Sequence, residues 1–443
     1  NASRGATHYS VWISYPIGSE LKEYSPAPFA VKTVFTPVYL RFSPDGKLLY
    51  LSMYTDLGAE TWLLPYPAGT GTPRRIFADV AWNKPVAASW MPDSRRMVMS
   101  GNPVPATGEQ LWMADVISQT RKQMLASPEI SHGTPSVSPD GKHILFARVE
   151  RNRDIVSLPL DGSPPVNLLA TSLQEFAPAW SPVGDQFAYV TRRSGTDELW
   201  VRSAEGVWDH PVVTAKEFPN LQALISPMYS PDGSRIAYTA LLSGGGRRRS
   251  LAISPSGGGT PTIIADGFAP TWFPNPGPMN GALIAFLWLR PDGTLPVAVI
   301  QVGSDRMPSV IIEATPGLGA PEWSPSGEWV AASSARGVEL VSTLPFSQPR
   351  TLDGLNGAAL AWSKDSKTLY GLTFQAAKPT LSSMDIATGK ITQIAEYDLA
   401  FQPLLENTVT GSIRLSLSPD DKSVATATSR NQSDLWILDG FEK

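Results

Sequence analysis

Short apolar runs recur along the whole chain, and polar, turn-forming residues separate them. Nine of these runs cover residues 48–52, 96–100, 144–148, 187–191, 236–240, 283–289, 329–334, 368–373 and 423–428. A near-continuous apolar run of this kind is typical of a strand that is buried on both of its faces. The pattern therefore predicts a protein built from many short, buried β-strands.

A turn related to Ser-Pro-Asp-Gly precedes each run. Its copies lie at Ser43–Gly46, Met91–Ser94, Ser138–Gly141, Ser181–Gly184, Ser230–Gly233, Phe273–Gly277, Ser324–Gly327, Ser363–Ser366 and Ser418–Asp421. Proline presets φ for the turn, aspartate bonds its own backbone, and glycine accepts a positive φ. Each copy therefore predicts a tight hairpin, and we expect the departures at Val183, Lys364, Ser366 and Asp421 to weaken individual turns.

The turns recur roughly every 40–50 residues, which is the period of a four-stranded propeller blade. Tryptophans that we expect to be core residues between blades precede five of the turns: Trp90, Trp180, Trp272, Trp323 and Trp362. The further turn at Pro291–Gly293 breaks this period, so we assign it to the second hairpin of one blade. The sequence predicts an all-β protein, a single closed β-propeller over 1–443 with about nine blades, or about eight if one repeat is degenerate.

The last repeat ends at Lys443, too soon for a fourth strand. We expect residues 1–25 to supply it, through Ser10–Ser14 or Leu21–Tyr24, with the repeats spanning about 26–443. Such closure removes exposed sheet edges. Deletion of residues 1–25 is therefore expected to destabilise the ring.

Composition excludes several classes of protein. The 443 residues include no cysteine, which removes disulfides, thiolate metal sites and cysteine nucleophiles. The 36 Lys and Arg against 40 Asp and Glu give a net charge of −4, which offers no electrostatic reason to expect nucleic acid or an anionic membrane as a partner. The longest apolar run, 282–289, is too short to span a bilayer, and the start at Asn1 without methionine indicates a processed or shortened chain.

No catalytic, metal or cofactor constellation stands out. There is no Gly-x-Ser-x-Gly elbow and no pair of histidines at helical spacing, and the glycine-rich segments 244–246 and 257–259 open no helix. We therefore predict no catalytic residue, no metal ligand, no cofactor and no hydrolase activity for this chain.

A binding site is predicted from geometry instead. Loops that enter the innermost strands of a propeller converge at its central channel, and aromatic residues with scattered polar groups there can form a ligand or peptide site. The residues assigned to this channel mouth are Trp82, His132, Glu175, Phe176, Phe218, Phe268 and Phe401. The alternative is that these aromatic side chains only fill gaps between blades.

With these repeats, the chain resembles the Pro-Asp-Gly-repeat propellers, which include the C-terminal domain of TolB and the propellers of prolyl-oligopeptidase and dipeptidyl-peptidase enzymes. The closing repeat, Arg414–Phe441, looks like that of bacterial transmembrane serine/threonine kinases with a C-terminal propeller. In those proteins a cytoplasmic kinase domain precedes one membrane helix, and the propeller lies outside as a sensor. Their catalytic residues belong to the kinase domain, so none is assigned here.

The resemblance implies a non-catalytic sensor that binds a small ligand, a peptide or a protein at the central channel. It also implies an extracytoplasmic, periplasmic location as part of a membrane-anchored receptor kinase, with no membrane contact by the propeller itself. Two alternatives stay open: a TolB-like protein-interaction scaffold, and a lyase or hydrolase with its site at the channel mouth. A cytoplasmic location is the alternative for the compartment.

Overall fold

The computed structural model describes residues 11–441 apart from 15, 17, 25–37, 56–57, 81, 83, 103–107, 128–129, 219, 243–247, 276–281, 344–346, 374–377, 399–401 and 404–413. Across these residues the chain forms antiparallel β-sheets joined by turns and contains no helix. It follows that none of the described segments is a helix with the length and hydropathy to cross a membrane. The predicted all-β class is confirmed.

The chain divides into two compact units. Unit 1 comprises Asn1–Arg151 with Asn431–Lys443, and unit 2 comprises Asn152–Arg430. Two long strands contribute residues to both units, β12 (His143–Pro159) and β35 (Ser423–Asp439). The single domain expected over 1–443 stays a prediction.

Unit 1 contains a two-stranded sheet, two four-stranded sheets, and a sheet in which β11 pairs with β12 and β12 with β35. Its other strands are β1 (Trp12–Ile13), β2 (Lys22–Glu23), β3 (Tyr39–Phe42), β4 (Leu48–Thr55), β5 (Gly58–Pro65), β6 (Arg74–Arg75), β7 (Ala87–Trp90), β8 (Arg96–Gly101), β9 (Gln110–Asp115), β10 (Thr120–Leu125) and β11 (Ile130–Val137). Buried side chains such as Tyr50, Leu63 and Met97 form the core between β3–β6 and β7–β10.

Unit 2 is also built from antiparallel sheets. The strands are β13 (Val166–Leu169), β14 (Glu175–Trp180), β15 (Gln186–Thr191), β16 (Glu198–Ser203), β17 (Asp209–Val213), β18 (Leu221–Tyr229), β19 (Arg235–Leu242), β20 (Arg248–Pro255), β21 (Thr262–Trp272), β22 (Leu283–Trp288), β23 (Val297–Gln301), β24 (Ser309–Ile312), β25 (Pro321–Trp323), β26 (Trp329–Ser334), β27 (Gly337–Ser342), β28 (Arg350–Leu352), β29 (Ala359–Trp362), β30 (Thr368–Thr373), β31 (Thr380–Asp385), β32 (Ile391–Glu396), β33 (Gln402–Pro403) and β34 (Ser416–Leu417). Sheets β14–β17, β25–β28 and β29–β32 pair in chain order.

Strand β21 serves two sheets of unit 2. Its residues 262–266 pair with β20, and its residues 267–272 pair with β22. Gly267, with φ of 158°, lies where the two parts meet, and a Cβ there would lie 2.4 Å from the Leu287 carbonyl oxygen. The turn at Pro291–Gly293 falls between β22 and β23, which confirms its assignment to a second hairpin.

The repeated turns have the predicted chemistry. In the copy at Ser230–Gly233, the Ser230 hydroxyl donates to Asp232 Oδ1 over 2.6 Å, and the Ser234 N–H donates to the same oxygen over 3.1 Å. The fourth turn residue takes a positive φ even where it is not glycine, as at Ser366 and Asp421, each at 61°. These departures therefore keep the turn geometry, at a conformational cost that glycine avoids.

The prediction that residues 1–25 supply a closing strand to the last repeat is wrong for the described residues. Strand β1 pairs with β2, and Val11 and Ile13 pack against a cluster that includes Leu49, Leu51 and Met53 of the first four-stranded sheet. The position beside the last-repeat strand β35 belongs to β12 instead. The apolar side chains of the N-terminal segment thus cover the first sheet of unit 1, and the described part of 1–25 supplies no strand to the last repeat.

The length of β12 and β35 explains this pairing. Neither 143–158 nor 423–439 contains glycine or proline, so each strand continues through the place where other repeats turn. In unit 1, His143 Nδ1 lies 2.5 Å from Asp439 Oδ1. In unit 2, the Thr428 hydroxyl donates to the Asp154 carbonyl oxygen over 3.4 Å. The counts of about nine or about eight blades, which assumed a turn in every repeat, stay unconfirmed.

Candidate functional site

The structure separates the residues predicted for the channel mouth. Trp82 and His132 belong to unit 1, whereas Glu175, Phe176, Phe218 and Phe268 belong to unit 2. Phe401 lies outside the described residues. Each of the six described residues is at most 7% exposed.

The aromatic members of this set contribute to the cores between sheets. Phe176 and Phe218 share one buried cluster, and Phe268 belongs to another. The Trp82 ring lies so close to Gly101 that a Cβ there would meet it at 2.6 Å. Their burial agrees with the alternative that they fill gaps, and the channel-mouth role of the set stays a prediction.

His132 lies beside a polar group in unit 1. Its Nδ1 is 3.3 Å from the Glu109 carbonyl oxygen, and Glu109 Oε1 is 2.9 Å from Lys84 Nζ. The Ser131 hydroxyl accepts the Glu109 N–H over 2.9 Å. Burial lowers the pKa of His132, which favours its neutral form.

Glu175, the acidic residue of the predicted set, is fully buried. Its Oε1 accepts the Thr171 hydroxyl over 2.6 Å, while Oε2 has no hydrogen-bond partner among the described residues. Burial raises the pKa of Glu175 to about 6, and the nearby Asp154 carboxylate adds to this rise. The Arg153 guanidinium lies 4.9 Å from the centre of the Phe176 ring, so a cation and an acid flank the start of β14.

A buried charge pair, Glu322 and Arg414, lies elsewhere in unit 2. Arg414 Nη2 donates to the carbonyl oxygens of Ala269 and Pro321, over 2.9 and 3.3 Å. Arg414 Nη1 lies 3.3 Å from Glu322 Oε1, and the side chains are 5% and 9% exposed. Burial raises the pKa of Glu322 to about 7, against the opposing attraction of Arg414.

Sequence reasoning missed both members of this pair, although a signal for Glu322 was present. The residue before each core tryptophan is small or a hydroxyl residue in the other copies: Ser89, Ala179, Thr271 and Ala361. Glu322 is the charged exception to this pattern. Arg414 opens the closing repeat, and its sequence neighbours give no sign of which strands it reaches.

The arrangement can take up protons and recognise polar groups. Two buried carboxyl groups, Glu175 and Glu322, have pKa values of about 6 and about 7, so both change charge near neutral pH. Within the described part of the chain, no group of three or more histidine, cysteine, aspartate or glutamate residues could hold a metal ion. The prediction that the chain has no catalytic role stays a prediction.

Comparison with known proteins gives limited sequence matches. No family model matches the chain. The protein named Tol-Pal system protein TolB of Anaeromyxobacter dehalogenans is 29% identical over 133 residues, which cover 29% of this chain and 29% of that protein. An uncharacterised protein of Agrobacterium fabrum is 24% identical over 236 residues, covering 48% of this chain and 74% of its own length.

The comparison with solved structures matched two TolB proteins, among others. A putative TolB from Agrobacterium tumefaciens has a TM-score of 0.49 at 17% identity and covers 63% of this chain and 99% of its own. TolB from Acinetobacter baumannii has a TM-score of 0.39 at 13% identity and covers 65% and 76%. In the sequence comparison, by contrast, the match spans only 29% of the length of the Anaeromyxobacter dehalogenans TolB. The repeated antiparallel sheets and the sequence match together describe a TolB-like β-propeller fold.

Proposed function

We propose that this chain is a protein-binding β-propeller module whose recognition surface lies where the first strands of unit 2 begin. The observation that carries the proposal is that buried charged residues lie in or just before first strands of unit 2: Glu175 in β14, Glu322 in β25 and Arg414 just before β34. Glu175 and Arg414 each keep a buried polar atom without a hydrogen-bond partner among the described residues. Charged groups are rarely retained in such places for stability alone, because their desolvation costs as much as their attraction returns. The match to a Tol-Pal system protein supports a protein or peptide as the partner.

Unit 2 is proposed to close as a ring of its own. The backbone N–H of Trp323 donates to the Thr271 hydroxyl of the preceding sheet over 3.2 Å. The backbone N–H of Trp180 donates in the same way to the Ser416 hydroxyl of the last repeat, over 2.8 Å. The second bond repeats the link between successive sheets and joins the last repeat to the sheet β14–β17. A ring of this kind brings the starts of the first strands together around one centre.

The receptor-kinase context is a finer version of the same proposal. It rests on the closing repeat, Arg414–Phe441, and carries with it an extracytoplasmic, periplasmic location. The reading frame upstream of Asn1 tests it directly. A kinase domain followed by one membrane helix is the expected result, and a frame without either would leave the interaction scaffold as the function.

Site-specific photocrosslinking tests the recognition surface. The crosslinker is placed at Ser172 or Asn220, which are exposed before β14 and β18, and at Ser234 as the control, which is exposed at the opposite end of its first strand. We expect both loop positions, and not Ser234, to capture the same protein from a cell-envelope extract. That protein, once purified, should bind the wild-type chain in solution.

Crosslinking at Ser234 alone, or equally at all three positions, would place recognition elsewhere and contradict the proposal. Turnover of a substrate that is lost on changing Glu175 or Glu322 would instead favour the enzyme alternative.

A further inference from the structure

In unit 1, the sheet formed by β11, β12 and β35 has one strand fewer among the described residues than the other two large sheets. Sheets β3–β6 and β7–β10 each contain four strands, whereas β12 has β11 on one side and β35 on the other. Strands β33 and β34 pair with β35 between Val424 and Ser429, outside this unit. The outer edge of residues 431–439 therefore pairs with no described strand.

The strand at this open edge carries exposed apolar side chains. Leu435 is 73% exposed and Ile437 is 63% exposed, whereas Leu438 packs into the core towards β7–β10. Because side chains alternate along a strand, Leu435 and Ile437 lie on the face turned away from that core. The residues at the same two positions of β16, Leu199 and Val201, are at most 1% exposed in their four-stranded sheet.

The first four-stranded sheet shows what chemistry the absent strand should have. Its third strand has Glu60 two residues before Trp62, just as β35 has Asp434 two residues before Trp436. Arg75 of the fourth strand β6 lies opposite Trp62, and its Nη1 is 3.1 Å from Glu60 Oε1. By the same register, a fourth strand beside β35 would place a cation opposite Trp436 and close to Asp434.

A cation already beside Trp436 is balanced within β12. The Arg148 guanidinium lies 4.9 Å from the centre of the Trp436 ring, and it forms an ion pair with the Glu150 carboxylate. The Asp434 carboxylate instead accepts a hydrogen bond from the uncharged Gln432 amide, over 3.2 Å. Asp434 can therefore take up a cation that comes from outside the sheet.

Charge also argues against a second copy of the chain as the occupant. Residues 431–439 include Asp434 and Asp439 but no lysine or arginine. Antiparallel pairing of two such edges would bring like charges together, which destabilises a strand pair. The two fourth strands β6 and β10 of unit 1 are basic instead, since β6 is Arg74–Arg75 and β10 contains an arginine and a lysine.

We propose that residues 431–439 are a docking edge to which a partner protein adds an extended basic segment as the fourth strand of the sheet. The segment pairs antiparallel with β35 through its backbone, and an arginine opposite Trp436 reaches Asp434. Apolar side chains on either side of this arginine pack next to Leu435 and Ile437. The inference goes beyond the proposed function, because it concerns a surface of unit 1 and does not depend on the charges of unit 2.

Hydrogen exchange of the full chain with a synthetic peptide tests the docking edge. The probe is the capped peptide Ser-Thr-Val-Arg-Val-Thr-Ser, and the control peptide has glutamate in place of arginine. We expect the amides of 432–438 to exchange at least about fivefold more slowly with the arginine peptide at saturation, and to change little with the glutamate peptide. Equal slowing by both peptides would contradict the proposed chemistry.

A charge reversal at the edge makes the test specific. Asp434→Lys should weaken binding of the arginine peptide by at least about fivefold and reverse the preference between the two peptides, because it exchanges attraction for repulsion. Glu396→Lys is the matched control, since it makes the same kind of change at an exposed strand position of unit 2 and should leave both affinities unchanged. Fluorescence anisotropy of labelled peptides measures these affinities.

Fusing the segment to the chain keeps the test decisive if the free peptide binds weakly. The arginine segment, attached after Lys443 through a flexible Gly-Ser linker, is present at an effective concentration of about millimolar. It should slow exchange at 432–438, and a version with proline in place of both valines should not, because proline cannot donate to the strand pairing. No slowing in the fused chain, or protection of 432–438 that disappears on dilution of the unfused chain, would overturn the inference; the second result would identify another copy as the occupant.

Discussion

At the scale of single residues, the repeat works through a few recurring hydrogen bonds. In the Ser-Pro-Asp-Gly turns, the aspartate carboxylate accepts hydrogen bonds from nearby hydroxyl and backbone N–H groups. At Asp232, the bonds from the Ser230 and Ser234 hydroxyls lower the pKa to about 2. The core tryptophans add a bond between sheets: the ring N–H of Trp362 donates to the Glu322 carbonyl oxygen over 2.9 Å. Both bonds follow from residue type and register, which is why the sequence predicted the turns and the tryptophan positions.

Trp362→Phe tests the value of the tryptophan bond. The substitution removes the donor and leaves the Glu322 carbonyl unsatisfied, so it should cost about 1–2 kcal/mol more than the loss of ring volume alone. Trp180→Phe is the control, because its ring N–H has no partner among the described residues. The free energy of unfolding, measured in urea for both variants, gives the comparison. Equal losses of stability would show that packing alone explains why tryptophan recurs at this position of the repeat.

At the scale of elements, the two long strands decide the pairing. Residues 143–158 of β12 and the whole of β35 lack glycine and proline, and both strands continue where the other repeats turn back. In unit 1 their pairing brings His143 to Asp439 and the Arg148 guanidinium to 4.9 Å from the Trp436 ring centre. The C-terminal strand is thus held by an ion pair and a cation–π contact rather than by an N-terminal strand.

The His143 contact makes the docking of residues 431–439 depend on pH. The Asp439 carboxylate, as hydrogen-bond partner, raises the pKa of His143 above its ordinary 6.5. This stabilisation is fully present below pH 6.5 and is lost as pH rises through the raised pKa. We expect hydrogen exchange at 431–439 to quicken over that range, and His143→Gln to remove the dependence. His210→Gln, a change in unit 2, should keep it; if it does not, the assignment to His143 is wrong.

At the scale of the whole molecule, the proposed ring of unit 2 depends on one link. Ser416 makes the same kind of bond to Trp180 that Thr271 makes to Trp323, although 236 residues separate the first pair. A long closure of this kind carries an entropy cost that local hairpins do not have. The bond between the last repeat and β14 is therefore where closure can be tested.

Ser416→Ala removes the acceptor for the Trp180 N–H and should lower the free energy of unfolding by about 1 kcal/mol. Thr271→Val makes the equivalent change between two successive sheets and is expected to cost about as much. Thermal and urea unfolding of both variants give the comparison. A loss for Thr271→Val with none for Ser416→Ala would contradict closure through β34.

The candidate site shows how far sequence reasoning reaches. It assigned Glu175 and Phe176 to a loop that enters a first strand, whereas the structure has them as the first two residues of β14, because the repeat register determines that position only to within a few residues. It could not place Trp82 and His132 in another unit from Phe218 and Phe268, since unit membership depends on which strands pair over long distances. The role of Arg414 could not be predicted from the sequence, because its hydrogen-bond acceptors lie 145 and 93 residues away in the chain.

Most strands, the repeated turns and the all-β class could be predicted from the amino-acid sequence, because apolar period, proline, aspartate and glycine act within a few residues. The pairing of β12 with β35, the pairing of β1 with β2 and the contact of Glu322 with Arg414 depend instead on tertiary packing. Each of these contacts buries surfaces that lie far apart in the chain. A local pattern of residues therefore cannot predict which surfaces pack together.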